Sequence, residues 1–427
     1  MNTTRESSVA NESQVSDGSV TRLSSAEAIE RLRAGEPVQN VEIERLTLSG
    51  TFSEPVLIER CTLKGLSIQS ATFEQSVSFR GSKIHRPRFN RKTRFMSSLG
   101  LEGCEIRALK MSKISVEGSL KLASARFEHL VKIEAVKFGG ISGFGATFGD
   151  WCELREVEVG NNADLRSCQF EQGLVLRDCK IGGELRLRGA SFEKKLELND
   201  TCVEKTIDLS KAKLRDFAYF DDLKLAEGTR FRLANAIADH MHIEPELLEG
   251  RLSSEESHDF ETACLEYGLL KRNYANLHQY DEEDWAFYRF KQNQRRRRPL
   301  SPRHPIQSLR RGLDYLFLDL GCGYGVEPWR ALRFGAFLIL MFAMIYGLGV
   351  QHFIDPNVPV SDFPMIHPLN RFLFGLLTSV SVFTAGFTGD HLHSASGWVL
   401  IPLAIEAVMG TILWGLFIVA FSRKVIR

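Results

Sequence analysis

The chain has 427 residues, a formal net charge of +1 and 44% apolar residues, so it is long enough for two or three domains. A charge balance this close to neutral argues against a general nucleic-acid-binding protein. The eight cysteines show neither CxxC nor metal-ligand spacing, which is typical of thiols in a reducing, cytosolic compartment.

The first part of the chain is predicted to contain one short helix. Residues 1–23 are rich in Ser, Thr, Asn and Glu and have no apolar core, so we expect disorder and no signal peptide there. Residues 24–37 are predicted to form a capping helix, because Ser24 followed by Glu27 is typical of an N-terminal capping box.

Residues 41–225 repeat with a distinctive period. Apolar residues recur every five positions, and further on at alternating gaps of five and six, so that two gaps span eleven residues. Neither an α-helix nor a flat strand has this period. A square coil with one inward side chain per side does, and it predicts a solenoid turn of about 20–22 residues. The inward positions are Ile58, Leu63, Ile68, Phe73, Phe170, Leu176, Ile181, Leu187, Phe192, Leu198, Val203, Leu209, Leu214 and Phe220.

A second column of small residues stands two places before many inward residues. It comprises Cys61, Ala71, Cys104, Ala125, Ala146, Cys152, Cys168, Cys179, Ala190 and Ala212. A tight coil has room for only a small side chain at each corner, so five of the eight cysteines are interpreted as buried structural thiols. This pattern resembles the pentapeptide-repeat proteins, and Ala163-Asp164-Leu165 matches their repeat unit most closely. The resemblance implies a right-handed β-helix of about eight turns, irregular around residues 85–120.

Residues 227–298 are predicted to form a helical connector of two antiparallel helices, because apolar and aromatic residues follow helical spacing. A basic interfacial linker at 299–333 follows it. Since a membrane span comes next, we interpret these arginines as a cytoplasmic flank that attracts anionic headgroups, in preference to a nucleic-acid site. The basic residues are Arg295, Arg296, Arg297, Arg298, Arg310, Arg311 and Arg330.

A glycine-rich segment, 318–325, is similar to the motif of methyltransferases that bind S-adenosylmethionine. Such a motif needs a strand before it and a βαβ unit after it. Here Pro328, Trp329 and a membrane span follow, so we predict an interfacial elbow with Trp329 at headgroup level.

Residues 334–427 are predicted to form an all-α pore domain with two spans. The segments 334–350 and 398–421 are apolar and near the length that crosses a bilayer, which is about 20 residues. Between them, a helix at 371–383 is too short to span and is followed by a turn at 384–390. This order predicts a re-entrant segment, whose irregular backbone must be buried in protein or line water.

The order of span, short helix, Thr-x-Gly-aromatic turn, Gly-Asp and span resembles the two-helix potassium-channel pore. The resemblance implies a homotetramer whose filter carbonyls replace the hydration shell of a permeating monovalent cation, with K⁺ as first choice. The extra residue Thr388 leaves a non-selective or Na⁺- and Ca²⁺-permeable channel as an alternative. The filter residues implied are Thr384, Ala385, Gly386, Phe387, Thr388, Gly389 and Asp390.

Three residues of the second span are candidates for pore support or gating. Glu406 is expected to point into the helix bundle, since a carboxylate facing lipid costs at least about 2.5 kcal/mol. It either supports the pore helix, faces the pore as a cation site, or forms a neutral helix contact. Gly410 and Gly415 are either a gating hinge or close-packing positions.

Basic residues flank both spans, whereas the connection between them carries one, Arg371. By the positive-inside rule we expect an integral protein of the plasma (inner) membrane with both termini in the cytoplasm. The predicted function is passive cation conduction, gated or assembled through the cytosolic β-helix, which offers a surface to a cytosolic protein or ligand. The alternative is a membrane-tethered scaffold that conducts nothing. No nucleophile–base pair, metal cluster or cofactor motif predicts an enzyme, and no nucleic-acid partner is expected.

Overall fold

The computed structural model describes residues 21–90, 92–298, 305–353, 367–385 and 395–426. The chain divides into two compact units, Met1–Arg230 and Phe231–Arg427. Residues 1–20 of the segment expected to be disordered lie outside the described residues. At its edge the expectation is wrong, because Thr21–Arg22 is a strand that pairs in parallel with Val41 and Glu42.

After this strand the first unit forms helix α1, Ser25–Arg33, as the capping signal predicts. The Ser24 hydroxyl accepts a hydrogen bond from the Glu27 backbone N–H at 3.3 Å. Short parallel strands then follow one another. Their bounds are Val38–Gln39, Val41–Ile43, Leu46–Phe52, Val56–Glu59, Thr62–Leu63, Leu66–Phe73, Val77–Ser78, Lys83–Ile84, Pro87–Phe89, Arg94–Phe95, Leu99–Gly100, Glu105–Ile106, Leu109–Ser112, Ser115–Lys121, Arg126–Phe127, Val131–Glu134, Lys137–Ser142, Thr147–Phe148, Trp151–Arg155, Glu158–Val159, Ala163–Asp164, Gln169–Phe170, Gly173–Arg177, Lys180–Ile181, Leu185–Arg186, Ser191–Phe192, Lys195–Asn199, Cys202–Val203, Thr206–Asp208, Lys213–Tyr219, Lys224–Leu225 and Arg230–Arg232.

These strands form a β-solenoid of about ten turns, more than the eight expected. The register confirms the predicted turn length, since strand partners are 20, 21 or 22 residues apart, as in Leu46↔Leu66, Arg126↔Thr147 and Leu174↔Leu196. Within the segment expected to be irregular, the register shifts between Val116 and Ser119. The extra turns arise because strand pairing begins before residue 41 and continues past residue 225.

The predicted inward positions are all buried and stack in register. Phe127, Phe148, Phe170 and Phe192 form one column with ring centroids 4.7–5.0 Å apart. Identical rings stack because parallel in-register pairing places equivalent residues of successive turns directly above one another, and each aromatic pair adds about 0.5–1.5 kcal/mol beyond its buried area.

Most of the small residues mark corners of the coil, as predicted, but for Cys152 the prediction is wrong, because Cys152 lies within the strand Trp151–Arg155. Cys104 and Cys168 are buried, and their Sγ–H groups donate to the carbonyls of Phe79 at 2.6 Å and Gly143 at 2.8 Å, on the preceding turn. The residue before many of these positions has a left-handed backbone, as Ser167 does with a φ of 57°. At such a corner the chain changes direction at the left-handed residue, and the small residue that follows it is buried.

Among the described residues, the second unit contains the end of the strand Arg230–Arg232, one further strand and most of the helices. The further strand is Ile237–His242. The α-helices are α2, Pro245–Leu248; α3, Ser253–Glu256; α4, Phe260–Asn276; α5, Tyr280–Arg296; α6, Pro305–Leu313; α7, Pro328–Leu348; α8, Pro368–Ala385; and α9, Leu400–Ile426. A π-helical segment, Asp314–Gly321, and short 3₁₀ turns at Gly323–Gly325, Val350–His352 and Gly397–Val399 complete it.

The connector departs from its prediction at its start. Helix was expected from residue 227, but strands continue to His242 and the paired long helices are α4 and α5. Side chains of α4 satisfy the backbone of this extension. Asn273 accepts from the Met241 N–H at 2.6 Å and donates to its carbonyl at 2.8 Å, and Tyr274 donates to the Ile243 carbonyl at 2.9 Å. These buried side-chain bonds hold the strand where helical periodicity alone predicts helix.

Two helices, Pro328–Leu348 and Gly397–Ile426, are long and apolar enough to cross a membrane. Both exceed the predicted spans of 334–350 and 398–421. The first begins earlier because Pro328 occupies an N-terminal helix position, where its missing N–H costs nothing. The linker predicted at 299–333 is thus largely helical in its described part.

Candidate functional site

Helix α8 packs against α7 and α9 through glycines on all three helices. A Cβ added to Gly375 would lie 2.1 Å from the Ala343 carbonyl oxygen of α7, and one added to Gly410 would lie 2.5 Å from the Phe383 carbonyl oxygen. Only glycine allows backbones this close. The buried apolar cluster around these contacts comprises Leu338, Phe342, Tyr346, Val382, Phe383, Val399, Leu403, Ala407 and Leu413.

Glu406 is fully buried in this bundle and hydrogen-bonds to both other helices. The Tyr346 hydroxyl of α7 donates to its Oε2 at 2.5 Å. Its Oε1 is hydrogen-bonded to the Ser379 hydroxyl of α8, which also lies 3.0 Å from the Ile339 carbonyl oxygen. One polar cluster thus joins the three helices at the level of α8.

The hydrogen count in this cluster has a chemical consequence. Ser379 has one hydroxyl hydrogen and two acceptors within reach, the Ile339 carbonyl and Glu406. Ser379 donates to Oε1 of Glu406, and the Ile339 carbonyl, which lies inside α7, already accepts a helical hydrogen bond and needs no second donor. Of the three expectations for Glu406, the geometry matches a buried hydrogen-bond partner of α8.

The start of the predicted filter differs from expectation. The helix was expected to end at residue 383, but Thr384 and Ala385 lie in the last turn of α8. The Thr384 hydroxyl donates to the Val380 carbonyl one turn back, at 2.7 Å, a bond that threonines within helices make. Gly386, Phe387, Thr388, Gly389 and Asp390 lie outside the described residues.

The two glycines of α9 occupy different surroundings. Gly410 is buried against the α8 backbone, which is a close-packing position, whereas a Cβ at Gly415 would meet no heavy atom of the described residues within 4 Å.

Most of the predicted basic residues are engaged within the second unit. Arg295 pairs with Asp319 at 2.6 Å, with both side chains largely buried, and Arg297 pairs with Glu261 at 3.0 Å. The remaining contacts are Arg298 with Asp314, Arg311 with the Arg298 carbonyl, and Arg330 with Glu327. Arg296 and Arg310 are exposed. The basic tract therefore holds the connector against the elbow. These ion pairs could not be predicted from the sequence, because the acidic partners lie far apart along the chain.

Helix α5 contacts one end of each long helix, the start of α7 and the end of α9. Its Tyr288 hydroxyl donates to Asp319 at 2.7 Å and accepts from Arg330, at the start of α7, at 2.9 Å. Its Asp284 pairs with Arg423, at the end of α9, at 2.7 Å. Side chains of α5 are thus bonded directly to the first turn of α7 and to the last turns of α9.

The glycine-rich segment is an elbow between helices, as predicted. A π-helix precedes it, and α7 follows it, so the strand that a methyltransferase site requires is absent from this described segment. Tyr324 has a left-handed φ of 56°, and Trp329 is 69% exposed.

Within the described ranges, no group of three or more His, Cys, Asp or Glu side chains is placed to hold a metal ion. Sequence reasoning named Glu406 but missed Tyr346, although a tyrosine in the middle of an apolar span is a usable signal for a buried hydrogen bond.

Comparison with protein-family models, with curated proteins and with solved structures gives no match for this chain.

Proposed function

We propose that this protein is a tetrameric cation channel, with K⁺ as its principal ion, whose cytosolic β-solenoid assembles or gates the pore. The observation that carries the proposal is α8, a helix docked by glycine contacts between two span-length helices and tied to both by Glu406. It ends immediately before the Gly-Phe-Thr-Gly-Asp segment that resembles a filter. A scaffold that only anchors a protein needs spans but no third helix held between them.

The apolar surface of the two long helices supports a membrane setting. Only 39% of the apolar window of α7 and 33% of that of the second helix is buried within the chain. Large apolar side chains form exposed stripes at helical spacing. Exposure of such stripes to water is unfavourable, whereas contact with lipid or with neighbouring subunits is not. The stripes are Phe337, Leu340, Met344 and Leu348 on α7, and Ile401, Ile405, Val408 and Ile412 on α9.

In the proposed mechanism, four copies of α8 run inward from the outer face around one axis. Their C-terminal carbonyls direct partial negative charge at a central cavity, which favours a cation there. Because Thr384 and Ala385 belong to the helix, the backbone that replaces the hydration shell starts at Gly386. Both termini are cytoplasmic in this arrangement.

The proposed gating route runs through α5. Movement of the cytosolic part displaces α5, and its bonds to Arg330 and Arg423 pull on the inner ends of both helices. A cytosolic protein or ligand bound to the solenoid supplies the force.

The test is K⁺ flux from liposomes that contain the purified full-length protein, followed by single-channel recording. Wild type should conduct, and Gly386→Asp should abolish the current because it puts a side chain and a charge on the ion path. The matched control is Gly228→Asp, which adds the same carboxylate where a Cβ meets no described heavy atom within 4 Å. A silent wild type, or equal current in wild type and Gly386→Asp, refutes the channel and favours the scaffold.

The inserted Thr388 is a specific reason to keep a second candidate, a non-selective or Na⁺- and Ca²⁺-permeable channel. Reversal potentials under bi-ionic K⁺ and Na⁺ decide between them. A reversal potential near zero assigns the non-selective channel, and one displaced towards the K⁺ equilibrium potential assigns the K⁺ channel.

A further inference from the structure

A cavity of about 360 Å³ opens where the connector, the elbow and the end of α9 meet. This size lies within the range of small-molecule sites, about 300–1,000 Å³. Its wall combines charged residues of α5 and α6 with apolar residues of α9. The lining residues used below are Lys291, Arg298, Arg310, Tyr324, Leu416 and Val419.

The charge of this cavity is strongly positive. Four cations line it, Lys291, Arg295, Arg298 and Arg310, against the single anion Asp314. Arg295 and Arg298 are held by Asp319 and Asp314. Among the described residues, no carboxylate lies within ion-pair distance of Lys291 or Arg310.

Tyr324 gives a second, independent observation. Its hydroxyl is buried in the cavity wall without a hydrogen-bond partner among the described residues. Burial raises the pKa of Tyr324 to about 12, so the hydroxyl is a donor at neutral pH.

The backbone of Tyr324 has a φ of 56°, and no other Phe, Tyr or Trp of the described ranges has a left-handed backbone. Such a conformation costs about 1–3 kcal/mol and is concentrated at functional sites. The elbow thus holds a residue with a costly backbone conformation in the wall of the cavity.

The apolar part of the wall identifies the kind of ligand. Leu416 and Val419 belong to α9, on the part of the helix nearest its basic end, and Val419 is 66% exposed. A soluble phosphate would use only the cations, whereas a phospholipid would place its phosphate among them and its acyl chain along these two residues.

We infer that this cavity binds the phosphate group of an anionic membrane phospholipid, held by Lys291, Arg298, Arg310 and the Tyr324 hydroxyl. The inference rests on the proposed membrane placement and adds a discrete site to the general attraction of basic residues for headgroups. Because the bound lipid touches α5, α6, the elbow and α9 together, it would brace the gating route.

The test uses the full-length protein in a non-ionic detergent and native mass spectrometry with dioctanoyl phosphatidylglycerol. Lys291→Gln combined with Arg310→Gln should weaken binding by about tenfold or more, because each removed partner is a charge-assisted hydrogen bond. Tyr324→Phe should weaken it by about tenfold, because the hydrogen bond from the hydroxyl to an anionic phosphate is charge-assisted, and the backbone conformation is equally available to both residues. Circular dichroism and the elution volume of each variant establish that it is folded.

The matched control is Arg296→Gln, which removes one charge from the same tract at an exposed position outside the cavity. It should bind like wild type. Equal loss in Arg296→Gln and in Lys291→Gln combined with Arg310→Gln overturns the site in favour of general attraction of basic residues for anionic headgroups. Equal binding of dioctanoyl phosphatidylcholine overturns the site because it shows that binding needs no anionic headgroup. Binding of inorganic phosphate with an affinity equal to that of the lipid overturns the lipid and assigns a soluble phosphate.

These measurements need no ion current. A protein that binds phosphatidylglycerol at this site but conducts nothing therefore supports the site and refutes only the channel.

Discussion

Replacing Gly410 by alanine tests the docking of α8 on α9. The added Cβ would lie 2.5, 3.1 and 3.2 Å from the O, Cα and C atoms of Phe383. All three are backbone atoms of α8, so no side-chain rotation relieves the clash and one helix must shift. The matched variant is Gly415→Ala on the same helix, whose Cβ meets no described heavy atom within 4 Å.

The magnitude follows from the difference between the two variants. Both gain the helix propensity of alanine over glycine, about 1 kcal/mol, so this contribution cancels. What remains is overpacking, which costs about 1–3 kcal/mol in a close-packed interior. For a unit of this size, one kcal/mol lowers the unfolding midpoint by about 2–4 °C, so Gly410→Ala should unfold about 2–12 °C below Gly415→Ala.

The assay is thermal unfolding of the purified protein in detergent, followed by intrinsic fluorescence at fixed protein and detergent concentrations. Midpoints for the two variants that agree within error would show that α8 does not rest on Gly410. The proposed position of the pore helix would then lose its main geometric support.

Three further outcomes follow from the same structure. Glu406→Gln should keep a near-normal free energy of unfolding, because an amide can accept from one hydroxyl and donate to the other. Glu406→Ala should lower the free energy of unfolding by about 1–3 kcal/mol, and similar unfolding midpoints for the two variants would contradict the hydrogen bonding described. Glu266 is buried, and desolvation raises its pKa above 4.5, so the folded form binds its proton more tightly than the unfolded form. Lowering the pH through the raised pKa towards 4.5 should therefore stabilise wild type relative to Glu266→Gln in urea unfolding, and a pH-independent difference would be inconsistent with this reasoning. Burial raises the pKa of Cys104 and of Cys168 to about 12, so at pH 8 maleimide should modify the half-buried Cys202 and Cys264 before either of them, and peptide mass spectrometry showing Cys104 or Cys168 modified first would refute it.

The solenoid could be predicted from the sequence because its contacts repeat at a fixed spacing. Each inward residue is buried by its equivalents about one turn away, so the period of apolar residues carries the turn length directly. The corner cysteines followed from the same argument, since a tight corner leaves room for small side chains only. The extent of the coil was misjudged at the connector, where Asn273 and Tyr274 hold the backbone of a strand that has no distinct period of its own.

The two span-length helices were also predictable, because length and hydropathy are local properties. Their exact starts were not, since Pro328 and the elbow before it are fixed by contacts with α5. The last turn of α8 was misjudged for a related reason. Thr384 has low intrinsic helix propensity, yet it lies in the last turn of α8, where its hydroxyl bonds to the Val380 carbonyl.

By itself the sequence determined what depends on neighbours along the chain: the repeating coil, the capped first helix, the apolar lengths of two helices and a buried carboxylate between them. Only the tertiary structure decided the partners of Glu406, which lie 60 and 27 residues away, and the pairing of Arg295 with Asp319. The physical reason is that the composition of a short segment is enough to predict whether it is buried. The partner of a buried polar group depends instead on which helix faces lie within reach of it, and the glycine contacts between the helices set that arrangement.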